Sequence, residues 1–163
     1  MMNNRYKHNK VAQWLFDYCK NGSIFLSKHM WLYYILSYTW GIIWTLIGLL
    51  ITLGLLIGAQ RPIPYEGIWY FQLGKYWGGF SIGCAFLRDK TSSKSINAHE
   101  YGHTFQNCLL GPFFIFIVII PSAIRYWNQR IRASKGLDNK DYDAIWFEDS
   151  ATTIGEYVTR KDK

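Results

Sequence analysis

Cysteine is scarce in this chain: among 163 residues there are three, Cys19, Cys84 and Cys108. An odd number at such wide spacing supplies neither a disulfide framework nor a CxxC metal knuckle, so all three are expected as small buried hydrophobes. Histidine is nearly as rare, with four in all. No internal repeat or low-complexity tract is present. No N-terminal segment reads as a signal peptide, because the basic leader is long and no A-x-A-like site closes an apolar run. Acidic residues are in deficit, 11 against 18 Lys and Arg. The resulting charge of +7 comes without any RNA- or DNA-binding motif and is spread over three segments. Anionic lipid headgroups, not nucleic acid, are therefore the expected counterpart.

The most telling absence is local. Residues 30–59 contain no charged residue and no Asn or Gln, although mean hydropathy over the whole chain is close to zero at -0.05. Thirty residues would reach about 45 Å as a helix, against roughly 30 Å of hydrocarbon. One tilted transmembrane helix over 30–59 is the expectation. Trp31, Tyr33, Tyr34, Tyr38 and Trp40 crowd its first end, as rings do at headgroups. Residues 1–29, with five basic residues and one acid, read as a basic interfacial segment. Within it a short surface helix over Val11–Cys19 ends at Asn21-Gly22-Ser23.

Residues 61–163 make up the remaining domain. In 61–90, Pro62, Pro64 and several glycines interrupt runs such as Ile68–Phe71 and Phe80–Leu87, which predicts short strands with tight turns. A helix follows, capped by Ser93 or Ser95. A second apolar stretch, 109–124, is broken by Gly111-Pro112 and Pro121. It is expected to bend, to re-enter or lie at the interface, or to pack inside a small domain. The fold class is thus mainly α with a small β hairpin or sheet: an N-terminal transmembrane helix and a minimal α+β domain.

Chemistry concentrates in His99-Glu100-Tyr101-Gly102-His103, which reads H-E-x-x-H. Positions i and i+4 share a helix face, so both imidazoles can reach one Zn²⁺. Glu100, one step round, can accept a proton from water without being a ligand. The third ligand is not expected to be histidine: His8 and His29 precede the span, and the position six after His103 is Leu109. Among carboxylates Glu148 is the strongest, since it stands in an apolar helix-compatible run with Ala151 one turn later, where a small residue lets two helices approach. Asp143, Asp149 and Glu156 are weaker. Asp138, in Gly136-Leu137-Asp138, faintly echoes the aspartate ligand of site-2 proteases. Tyr142, Tyr157 and Arg125 are candidate oxyanion donors. Gln106 and Asn107 could orient an imidazole.

Two His from H-E-x-x-H with a Glu from a second helix resemble the gluzincin class of zinc peptidases. Read together, His99 to Asn107, Gly111-Pro112, Pro121 to Trp127, Tyr142 to Glu148 and Ala151-Thr152 resemble a widespread family of small bacterial membrane proteins, with Trp77 to Gly83 similar to its segment before the helix. The resemblance covers roughly 77–155. It implies a zinc metallopeptidase site at His99, Glu100, His103 and Glu148, in an integral protein of a bacterial cytoplasmic membrane acting on a protein or peptide, and it supplies no substrate. The competing expectations are a site-2-protease-like intramembrane protease and a noncatalytic membrane module with a structural metal or none. Beside the zinc helix, Gly79 to Phe86 is the candidate edge strand for extended substrate.

Overall fold

The computed structural model describes residues 9–139 and 141–160. Residues 1–8 of the basic segment, His8 among them, lie outside the described part. The described chain is mainly helical. Its helices are α1 (Lys10–Lys28), α2 (Met30–Tyr38), α3 (Ile42–Ile57), α4 (Ser95–Leu110), α5 (Ile120–Ser134) and α6 (Trp146–Thr159). Its strands are β1 (Ile63–Tyr65), β2 (Ile68–Gln72), β3 (Gly79–Ser81) and β4 (Ala85–Arg88).

Asn9 caps α1, its side chain accepting the N–H of Ala12 at 3.1 Å. The helix then runs to Lys28, straight through the Asn21-Gly22-Ser23 signal that was expected to stop it. The glycine serves packing here. A side chain at Gly22 would begin 2.7 Å from Cδ2 of Leu109, so its absence lets α1 close on α4. Ser23 satisfies its hydroxyl within the helix, on the carbonyl of Cys19 at 2.6 Å. The inner face of α1, Ala12, Phe16, Cys19, Ser23 and Leu26, is buried against α6 and α4.

The single helix expected over 30–59 is corrected to two, α2 and α3, bent by 87° across Thr39-Trp40-Gly41. Tertiary contact with the end of α4 sets this break. Trp40 donates its indole N–H to the carbonyl of Leu109 at 3.3 Å. Gly41 lies so close to Asn107 that a Cβ would stand 2.8 Å from its Nδ2. The Gly41 N–H closes back on the carbonyl of Leu36 at 2.8 Å. Among the described residues no single helix is long and apolar enough to cross a membrane. Two bent pairs, α2 with α3 and α4 with the segment through α5, have the length and composition together.

The strands form one mixed sheet in the order β1-β2-β4-β3, with β2 parallel to β4 and the other pairs antiparallel. The run Phe80–Leu87 splits at Gly83, whose φ of 80° suits glycine, to give the β3–β4 hairpin. Only β3 is an edge strand on that side; β4 is interior, so the edge expected over Gly79 to Phe86 is confined to Gly79–Ser81. Asp89, after β4, ties the hairpin to the preceding loop. Its carboxylate accepts the backbone N–H groups of Trp77 (2.8 Å) and Gly78 (2.6 Å) with one oxygen, and those of Thr91 and Ser92 (both 2.6 Å) with the other.

Helix α4 starts at Ser95, as expected, yet neither serine caps it: the hydroxyls of Ser93 and Ser95 meet each other at 2.6 Å. Against α4 lies α6, the most extensive helix pairing in the molecule. Each helix contributes a glycine to it. A Cβ at Gly102 would stand 2.0 Å from the carbonyl oxygen of Ala151, and one at Gly155 1.8 Å from that of Ala98. Backbone therefore packs on backbone at two points one pitch apart. After α4 the chain turns through Gly111–Phe113 and a π turn, Ile115–Ile119, into α5, a change of direction of 115°. Gly111, at φ 55°, faces the Trp40 ring. Pro121 does not break the chain; it sits at the start of α5 directly after the π turn.

Candidate metal centre

The α4–α6 contact determines the site. His99 and His103 lie one turn apart on α4, and Glu148 is the third residue of α6. Because the two helices touch at Gly102 and Ala151, the three side chains converge. Nε2 of His99 is 3.2 Å from Nε2 of His103, and Oε2 of Glu148 is 3.1 Å from the first and 3.3 Å from the second. Ligands at about 2.0–2.1 Å around a tetrahedral zinc stand about 3.3–3.4 Å from one another. The observed triangle, with edges of 3.1–3.3 Å, is close in size to one face of such a tetrahedron.

The outer atoms determine which way the protons point. Gln106 donates its amide to the carbonyl of Phe147 (2.8 Å) and the hydroxyl of Ser150 (2.6 Å). Its Oε1 is thereby turned to Nδ1 of His103 at 2.7 Å. A carbonyl oxygen only accepts, so His103 carries its proton on Nδ1 and offers a lone pair at Nε2. His99 follows the same logic: Thr152 donates its hydroxyl to Asp143 at 3.3 Å and accepts from Nδ1 of His99 at 2.8 Å. The second oxygen of Glu148 accepts the Ser122 hydroxyl of α5 at 2.5 Å. Two imidazole lone pairs and one carboxylate oxygen aimed at a common point could share a cation between them.

Burial adds to that fit. Glu148 is wholly buried, and both histidines are at most 9 % exposed. Burial alone would lower the pKa of His103, but hydrogen bonding and charge from Glu148 outweigh it and push the imidazole up to about 9. The buried negative charge that favours a proton on the imidazole would equally favour a bound cation. His99, His103 and Glu148 are thus a group that could hold a metal ion, and the only such group among the described residues.

Glu100 is adjacent but not part of the triangle. Its carboxyl lies against β3, where a Cβ on Gly79 would stand 2.5 Å from Oε1, and it accepts the backbone N–H of Ser81. Burial raises it above the usual carboxylate range, against the pull of both imidazoles. A cleft of about 780 Å³ opens onto His99 and Glu100. Trp77 to Gly79 form one of its walls, and Tyr126 and Gln129 of α5 another.

The other residues singled out in the sequence have other places. Gln106 orients His103, whereas Asn107 turns away to the Thr45 hydroxyl at 3.2 Å. Asp143 stands behind Thr152. Asp138 offers its backbone carbonyl to Arg132 at 2.7 Å and is outside the metal group, as are Asp149 and Glu156; Glu156 pairs with Arg160 at 3.1 Å. Tyr142 stays at the site, its ring edge-on to His99 with centroids 5.9 Å apart and its hydroxyl 3.3 Å from that of Ser122. Arg125 is held against Tyr142, donating to its backbone carbonyl at 3.1 Å. Tyr157 lines a different hollow with Lys20 and Thr153.

Sequence reasoning passed over Thr152 and Ser122. Thr152 stands four residues after Glu148, on the same helix face, and that spacing was a usable signal. For Ser122, 26 residues before Glu148, no local signal exists. No family model, no curated protein and no solved structure matches this chain.

Proposed function

We propose that this chain is a membrane-held zinc peptidase of gluzincin type, with a minimal zincin-like domain built around α4, α6 and the small sheet. The observation that carries this reading is the metal triangle itself: edges of 3.1–3.3 Å, with both imidazole lone pairs aimed inward by Gln106 and Thr152. His99, His103 and Glu148 would hold the zinc. When bound, zinc supplies Lewis acidity toward a scissile carbonyl and lowers the pKa of water toward about 7. A structural zinc takes four protein ligands; three are gathered here among the described residues, beside an open cleft.

The chain's own residues supply the rest. Glu100 takes a proton from the attacking water and passes it to the leaving amine. Edge strand β3 offers its free side to an extended peptide, which would pair with backbone groups around Gly79 and run past Glu100. Tyr142, which also lines the cleft, would donate to the developing oxyanion.

Support for the membrane comes from the inversion of α3. That helix buries Trp44, Thr45, Gly48 and Thr52 and exposes Ile43, Leu46, Ile47, Leu50, Leu53 and Ile57. Apart from Trp44, the residues that face the protein are small or hydroxyl-bearing, while large aliphatics face out, the arrangement that suits lipid and not water. The bent pair α2–α3 is the part assigned to the bilayer, a bacterial cytoplasmic membrane on the family resemblance. The polar α4 stays within the protein.

The test is to purify the protein in detergent, measure its zinc, and assay a peptide library. About one zinc per chain is expected, lost in His103→Ala, together with peptide cleavage that Glu100→Gln abolishes with zinc retained. Zinc near zero in the parent would sink the metal reading. Zinc present with cleavage unaffected by Glu100→Gln would leave a structural metal.

A further inference from the structure

Helix α5 has two faces that serve different surroundings. At about 100° per residue, Ile120, Ile124, Trp127 and Ile131 fall within an arc of about 60°. All four are exposed, Trp127 at 62 %. Ser122, Tyr126, Gln129 and Ala133 fall in an arc of similar width about 160° away. Of these, Ser122 donates to the metal-site carboxylate and the other three line the cleft. One helix therefore walls the active-site cleft with its inner side and leaves a row of large apolar side chains uncovered on its outer side.

Two observations identify what covers the outer row. The first is charge: α5 contains three arginines, Arg125, Arg130 and Arg132, and no acidic residue. Their guanidinium groups donate to backbone carbonyls of Tyr142, Asp141, Tyr76 and Asp138 and to the Tyr126 hydroxyl. Among the described residues no ion pair neutralises them. They flank the apolar stripe on both sides, as in a helix lying in an anionic headgroup layer. The second is continuity. Phe116 and Phe113, both exposed, extend the stripe toward α3, and the Phe113 ring meets Trp40 at 6.2 Å between centroids. The outer face of α5 thus leads through Phe116 and Phe113 to the exposed Trp40, directly before α3, whose outward aliphatics begin at Ile43.

We propose that α5 docks its Ile120–Ile131 stripe on an anionic phospholipid surface, so that the cleft on its inner side takes extended chain segments within about one helix diameter, roughly 10 Å, of that surface. The favoured substrate class is the juxtamembrane segment of a membrane-anchored polypeptide. The substrate class rests on the hydrolytic reading above; the docking does not.

The experiment uses the full chain, whose three native cysteines are buried. Single cysteines at Ile124, Trp127 and Gln129 are given an environment-sensitive fluorophore, and the protein is placed in phosphatidylglycerol–phosphatidylcholine vesicles carrying a shallow nitroxide lipid. Labels at 124 and 127 are expected to be quenched several-fold more than the label at 129 and to be shielded from aqueous iodide. Equal quenching at the three positions, or free access of iodide to 124 and 127, overturns the docking. A dimeric mass with shielding but no lipid quenching assigns the face to a second copy and also overturns it.

A second arm compares one peptide free in solution with the same peptide tethered to lipid by a short spacer. The tethered form is expected to be cut at least about tenfold faster, from effective concentration alone. Ile124→Glu with Trp127→Glu should remove that advantage and leave the free peptide's rate unchanged. Equal rates on both peptides overturn the substrate class. Cleavage of neither peptide removes the hydrolytic reading and the substrate class with it, while the quenching still decides the docking.

Discussion

Helices α3 and α4 have the same length, sixteen residues, and opposite relations to their surroundings. The apolar α3 buries four of its residues, and the polar α4 buries twelve. Composition would put α3 in the core and α4 on the surface. The reversal has a physical reason on each side. For α4, each buried polar group of the metal triangle has a partner: Gln106 behind His103, Thr152 behind His99, Ser122 behind Glu148. A satisfied polar network costs little to bury, and a half-satisfied one costs a great deal. For α3, large aliphatics left outward cost little only if the medium is apolar. The difference teaches that burial here tracks the surroundings each helix meets, protein for α4 and, on the function proposed above, lipid for α3.

That comparison can be broken most forcefully at the α4–α6 contact. Replacing Gly155 by Val drives a side chain into the Ala98 carbonyl and should destabilise the fold by at least about 3 kcal/mol, read as loss of the thermal unfolding transition in detergent together with loss of zinc. A charge in the middle of the exposed α3 face comes next. Leu50→Lys should cost about 2.5–3.5 kcal/mol of membrane insertion, measured by partition between membrane and soluble fractions; a water-facing helix would take the lysine with no change. Removing the partner of one imidazole is subtler. Gln106→Leu or Thr152→Val should weaken zinc binding about 10–100-fold, measured by chelator competition, with the far-UV circular dichroism of the parent.

The smallest expected effect lies outside both helices, at the loop that shapes the cleft. Burial of Asp89 works against its charge, but donors from Gly78, Thr91 and Ser92 outweigh it and hold the carboxyl below the usual range. A depressed folded-state pKa contributes stability above the unfolded value, about 3.9, and loses it as pH falls below that. Acid should therefore loosen the loop around Trp77 in the parent, followed by hydrogen exchange of the Trp77 and Gly78 amides. Asp89→Asn should show those amides exchanging faster at neutral pH, with little further change on acidification.

Much of the candidate site could be read from the residues. The i, i+4 spacing in His99-Glu100-Tyr101-Gly102-His103 places two imidazoles on one face wherever the helix lies, and the elimination of other histidines led to Glu148. The strands could be read because β-rich runs were bounded by glycines. Glycine was also where reading failed. At Gly22 it looks the same as a turn signal, but it is there because Leu109 presses on that spot, and only a neighbouring helix can show that. The bend at Trp40-Gly41 is hidden for the same reason, since its partners Asn107 and Leu109 are more than sixty residues away. Ser122 has no local mark at all.

The sequence alone determined the uncharged stretch 30–59, the pair of histidines with Glu100 between them, the shortage of any other imidazole, and the breaks at Gly111-Pro112. These depend on residue type and short spacing, which local backbone geometry turns into structure without further information. Tertiary structure decided that the uncharged stretch is two helices, that Glu148 and not Asp138 meets the imidazoles, and that α5 stands between cleft and exterior. Each of those depends on a close approach at a glycine, Gly41 against Asn107, Gly102 and Gly155 against facing backbone, Gly111 against the Trp40 ring, where a missing side chain permits a contact that no local pattern specifies.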